Sequence, residues 1–213
     1  MTEKRILLVE GSDDEHVIKA LFGARNLPHI DSFVPYGGIV PLLTALPVRL
    51  KQSDLESVGI VVDADTDISA RWDAIRNRLE SSGFIDVPAS PNQQGTVLLS
   101  PEHSLLPKVG IWIMPNNSLS GILEDFLEFL IPNGVGNPLF LHAQKSLDSI
   151  PDGSKQFPDL KRTKALIHTW LAWQEEPGRP LGQSITAKFF DHNVQEVDVF
   201  IDWIKRVFDL EPA

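Results

Sequence analysis

Cysteine is absent from the 213 residues. That absence excludes disulfides, thiolate zinc sites, iron–sulfur clusters and cysteine nucleophiles in one step. No apolar run approaches the ~20 residues that span a bilayer, so no membrane contact is expected. The start, Met1-Thr2-Glu3-Lys4-Arg5, runs into a short strand-like segment without the apolar stretch of a signal peptide. Cytoplasmic residence is the expectation. Positive charge is scarce: 19 Lys and Arg against 29 Asp and Glu give 19 − 29 = −10. Proteins that hold nucleic acid by simple charge neutralisation are usually basic. A nucleic-acid partner here calls for a local basic patch, bound cations or a basic companion, while solubility alone also accounts for the acidity. No Gly-x-x-x-x-Gly-Lys-Ser/Thr motif is present, which excludes a P-loop ATPase within the chain.

What is present is ordinary globular material: 42% hydrophobic and 23% charged residues. A chain of this length buries roughly 70% of its unfolded surface and needs no staple. Residues 5–9 (RILLV) read as a buried strand, followed by a helix over 15–22 with Ser12 or Asp13 as its cap. Residues 32–35 make a second short strand. A helix over 39–50 carries Pro41 in its first turn and Pro47 as a kink or stop. Residues 58–62 (VGIVV) are the clearest strand, and 68–81 an amphipathic helix with Trp72, Ile75 and Leu79 on one face and Gly83 as its C-cap. Residues 84–107 read as strand fragments and loop, 109–114 as a buried strand and 121–130 as a helix. Beyond Pro132 the pattern becomes helical, with helices predicted over 139–149, 161–174, 185–190 and 194–208. Strands alternating with helices predict an α/β fold with an open, mostly parallel sheet covered on both faces. The expected organisation is a core over 1–130 and a helical extension over 131–213 packed on it.

In such sheets the functional crevice lies at the carboxyl ends of the strands. There the strands 5–9 and 58–62 run into Glu10 and Asp63, with Asp65 two residues on. Three carboxylates in one crevice raise one another's pKa values unless a cation intervenes. A hard divalent ion such as magnesium resolves the conflict through oxygen ligands, and such a site polarises a phosphodiester. An acid after a strand is also often only a cap or turn residue, a reading open for Asp63 and Asp67, while Asp13 and Asp14 read as caps or as groups behind the ligands. His16 reads as structural. Trp72, Trp112, Trp170, Trp173 and Trp203 fall on apolar faces and read as core.

The segments LLVEGSDDEHVI and GIVVDADTD together resemble the Toprim domain of topoisomerases, bacterial primases and overcoming-lysogenization-defect (OLD) nucleases. That family carries a Glu after its first strand and Asp-x-Asp after a later one, which fall on Glu10, Asp63 and Asp65. VGIWIMPNNSLSGILEDFLEFL is similar to a further Toprim-like family in bacteria. The resemblance covers about residues 4–130. It implies a Toprim-like, Rossmann-like fold and a nuclease or related phosphoryl-transfer enzyme. Glu10 would be a metal ligand and general acid or base, Asp63 and Asp65 would be ligands of Mg2+ (Mn2+ substituting), and Glu124 would be a further ligand. By the same likeness a downstream lysine, Lys161 or Lys164, offsets charge during transfer; Lys164 is taken as the catalytic candidate. Glu124 also reads as a solvated acid at a helix start, and Lys161, Arg162 and Lys164 as an exposed basic face. OLD nucleases pair Toprim with an ATPase, so a separate ATPase subunit is implied. Topoisomerase activity is not expected, because the single tyrosine, Tyr36, stands in a Tyr-Gly-Gly turn and no second DNA-gripping domain is visible. Two other function classes stay open. One is a receiver-like phospho-acceptor domain, from KRILLVEGSDDEH, although Glu-Gly-Ser precedes the acid pair. The other is a non-catalytic Toprim-like subunit of an ATPase complex.

Overall fold

The computed structural model describes residues 4–210. Met1–Glu3, on which part of the leader reading falls, lie outside the described residues. Five strands form one sheet in the order β2-β1-β3-β5-β4. These are β1 (Arg5–Val9), β2 (Ser32–Pro35), β3 (Ser57–Asp63), β4 (Thr96–Leu98) and β5 (Lys108–Met114). All neighbours run parallel except β4, which pairs antiparallel with β5 at the edge. The α/β class with a mostly parallel, Rossmann-like sheet is therefore observed. Among the described residues eight α-helices surround it, and none is long and apolar enough to cross a membrane.

The central strands β1, β3 and β5 are apolar between their ends because both faces are covered. Leu7, Val9, Val61 and Trp112 face one layer, and Ile6, Leu8, Ile60, Val62 and Ile111 the other. The second layer is α2 (Ile39–Arg49) and α3 (Ile68–Ser82), which bury Leu42, Leu46, Trp72, Ile75 and Leu79. Pro47 lies inside α2 and does not stop it at once. Proline has no N–H to give the carbonyl four residues back. That carbonyl, Leu43 O, instead accepts from Arg78 Nε of α3 at 2.8 Å, so the two helices are tied at the defect.

The first layer begins with α1 (Ser12–Ala24), whose Val17, Ile18, Leu21 and Phe22 are buried. Residues after 130 complete it. α4 (Leu123–Phe129) leads into α5 (Pro138–Asp148), α6 (Arg162–Leu171), α7 (Leu181–Thr186) and α8 (Gln195–Phe208). Helix α7 starts earlier than the predicted 185–190, since Pro180 stands at its N-cap and the apolar pair Leu181 and Ile185 defines its buried side. Helix α8 lies across β3 and β5 on a trough made by two glycines that are register partners, Gly59 and Gly110. A Cβ on Gly110 would stand 2.0 Å from Val207 Cγ2, and one on Gly59 3.0 Å from Phe208 Cζ. Four of the five tryptophans are buried as expected, but Trp173 is 40% exposed. It follows the end of α6 and lies tilted against His142, ring centroids 5.2 Å apart, instead of entering the core.

Candidate functional site

The chain goes outward from β1 to β2 and returns to β3 on the other side of β1, so the sheet's switch point lies between the carboxyl ends of β1 and β3. Glu10 follows β1 and Asp63 ends β3. Glu10 Oε2 accepts the Asp63 N–H at 3.2 Å. The structure thus brings together two acids 53 residues apart in the chain.

Asp14, read from the sequence as a cap or as a group behind the ligands, belongs to the same group. Its Oδ2 accepts the Gly11 N–H at 2.9 Å and so caps α1. The cap is therefore Gly11 with Asp14 reaching back, not the side chain of Ser12 or Asp13. Asp14 is 6% exposed, and its Oδ1 meets no donor. Asp63 Oδ1 is also buried without a partner. Burial, Asp14, Glu10, Glu124 and Asp65 together push the Asp63 carboxyl up to about 9. Burial first, then Glu10 and Glu124 against the Gly11 hydrogen bond, pushes Asp14 up to about 7. Glu10 is also raised, by burial, although the Asp63 N–H and the Arg71 guanidinium pull it back. These mutual effects mark one electrostatic unit.

Glu124 enters from the start of α4 and is 2% exposed, so the solvated reading is overturned. Its Oε1 accepts from Lys164 Nζ, on the first turns of α6, at 2.7 Å. Lys164 Nζ also stands 3.8 Å from Asp13 Oδ2. Burial works against its charge, but Glu124, Asp13 and Asp63 outweigh it and raise its pKa. Asp65 takes a left-handed conformation (φ 55°), bridges to Gly121 and is ion-paired with Arg71. Asp67 is the N-cap of α3, accepting the Ala70 N–H at 3.0 Å.

Among the described residues no three His, Cys, Asp or Glu side chains already stand in chelating geometry. The reason is visible in the bonds just described. An internal donor takes an oxygen of four of the five acids, Arg71 for Asp65, Lys164 for Glu124, and backbone N–H groups for Glu10 and Asp14, and Asp63 is left without one. The unpaired oxygens of Asp14 and Asp63 are what a hard cation would meet, so the donor set suits Mg2+ in chemistry.

A family model described as "Protein of unknown function (DUF3226)" matches residues 4–209. The chain belongs to the DUF3226 family. No curated protein and no solved structure matches it. In this DUF3226 chain, Arg71 is the site residue that sequence reasoning missed, and Asp14, read as a cap or as a group behind the site, is both. Asp14 carried a signal, as an acid three residues after the Gly11 that starts a helix. Arg71 carried none, because its closeness to Asp65 depends on the left-handed turn that no composition rule requires.

Proposed function

We propose that the chain is a Mg2+-dependent phosphoryl-transfer enzyme of Toprim type, acting on nucleic acid as a nuclease, with Mn2+ able to substitute. One observation carries the reading. Carboxylates from three separate segments lie within electrostatic reach of one another at the switch point; Asp14 and Glu124 are buried, and Asp14 and Asp63 each keep an oxygen with no donor. Buried acids are stabilised either by a proton or by a cation. Glu10, Asp63 and Asp65 would hold the ion, with Glu124 completing a second position and Asp14 behind them. The bound ion would supply a polarised phosphoryl oxygen and a water acidic enough to attack it. The side chains do the rest. Glu10, whose burial raises its proton affinity, gives or takes a proton at its carboxylate. Lys164 Nζ offsets charge on the transferred phosphate. The acidic surface accepts a polyanion only locally, where cation and lysine neutralise it. A separate ATPase subunit is the proposed companion, and the cytoplasm the proposed compartment.

The test is incubation of the protein with labelled single- and double-stranded DNA and RNA in Mg2+ or Mn2+, with and without an ATPase partner. Divalent-dependent cleavage that Asp63→Ala or Asp65→Ala abolishes is the expected result. No cleavage of any substrate under any of these conditions rejects the enzymatic reading. Phosphorylation of Asp63 by acetyl phosphate would point instead to a phospho-acceptor, as its place at the end of β3 allows.

A further inference from the structure

Glu124 is the most enclosed acid of the site, and its side chain meets one cation, Lys164 at 2.7 Å. The lysine is different: its side chain is 43% exposed. Its ammonium stands at a boundary, with buried Glu124 on one side and exposed Asp13 on the other. Lys164 also sits where its helix does not favour it. It lies in the first turns of α6, the positive end of the helix dipole, together with Arg162 and the preceding Lys161. Arg162 is paired with Asp148 at 2.6 Å, whereas exposed Lys161 joins none of the ion pairs among the described residues. Cations at that end cost stability unless something negative meets them.

We propose that Lys164 is the built-in counter-cation of this site and exchanges with a divalent ion. It holds Glu124 until a nucleic-acid strand draws the ammonium outward, so that ion and strand bind cooperatively. The inference rests on the metal reading above. Its logic is exclusion: an ammonium and a divalent ion bound to one buried carboxylate repel each other strongly at low dielectric. Lysine suits the exchange because its charge rides on a long flexible stem, already half in solvent. A phosphodiester near Lys161 and Lys164 offers the ammonium a new partner and frees the Glu124 oxygen. Linkage makes the effect mutual: whatever the strand does for ion affinity, the ion does for strand affinity.

The experiment measures Mn2+ binding by the loss of the free-ion paramagnetic resonance signal, with no reference to activity. The unmodified protein is titrated alone and with an uncleaved phosphorothioate oligonucleotide, and Lys164→Met and Lys164→Arg are titrated in the same two ways. The oligonucleotide should tighten Mn2+ binding to the unmodified protein by about tenfold, within the usual range of coupling between sites. Lys164→Met should bind Mn2+ about that much more tightly without the strand and gain nothing from it, while Lys164→Arg should retain weak binding alone. Equal or weaker Mn2+ binding by folded Lys164→Met overturns the inference, as does an oligonucleotide that leaves the unmodified protein unchanged. The latter arm decides alone if Lys164→Met does not fold. Absence of Mn2+ binding in every arm rejects the metal reading itself.

Discussion

Replacing Asp63 by Asn should make the ion-free protein more stable, by an amount that grows with pH. Asp63 has its carboxyl raised from an ordinary 3.8 to about 9 by burial and four acidic neighbours. In the unfolded chain it loses its proton near pH 4; in the folded chain it keeps the proton almost to pH 9. The folded state therefore binds more protons across that window, and stability falls as pH rises through it. At pH 7 the cost is at most 1.36 × (7 − 3.8), about 4 kcal/mol. Neighbours share the protons, so about 2–4 kcal/mol is the working figure. Asparagine has the shape of the protonated acid and never ionises, so the variant escapes that cost. For a chain of this size the gain corresponds to about 5–15 °C in Tm. Urea or thermal unfolding in a chelator at pH 5, 7 and 8.5 reads it. The gap between variant and parent should be small at pH 5 and widen by about 1 kcal/mol per pH unit above it. Saturating Mg2+ should close the gap, because the ion then stabilises only the parent. A gap that does not change with pH, or a variant less stable throughout, would refute the account of Asp63 as a strained buried acid.

Two further substitutions probe neighbouring arguments. Asp14→Asn should also stabilise the ion-free protein, but its gain should level off above pH 7, where this carboxyl has ionised in the folded state too; a gain rising up to pH 9 would place the titration elsewhere. Gly110→Ala should destabilise by about 1–3 kcal/mol, because its Cβ would stand 2.0 Å from Val207 Cγ2 of α8; unchanged urea unfolding would mean that α8 shifts freely on the sheet.

Much of the fold was legible in residues. Runs such as RILLV and VGIVV are apolar on both faces, as a doubly covered strand requires, and their alternation with helical segments points to a parallel sheet. The strands observed at Arg5–Val9 and Ser32–Pro35 carry the bounds the sequence suggested. The meeting of Glu10 with Asp63 was legible only on the condition that their strands are neighbours, and the strand order β2-β1-β3-β5-β4 meets that condition. What escaped depends on tertiary detail. Arg78 mending the Leu43 carbonyl rescues a proline that local rules read as a kink or stop. Glu124 reads both as a site acid and as a solvated one, and its pairing with Lys164, 40 residues away, is in neither reading. Trp173 follows its helix by two residues, and helical periodicity carried past the last turn misplaced it.

The arrangement of charge explains why the residues after 130 are not an accessory in physical terms. Collecting Glu10, Asp14, Asp63 and Glu124 in one partly buried crevice is unfavourable, and backbone N–H groups offset only part of the cost. The sheet and its first helices contribute a single nearby guanidinium, Arg71, and that is spent on Asp65. The ammonium that meets Glu124 comes from α6, and the helix that closes the sheet over Gly59 and Gly110 is α8. A core lacking them would expose Leu7, Val61 and Trp112 on one sheet face and leave Glu124 without its cation. The residues after 130 thus supply the cation that meets the most enclosed acid of the crevice.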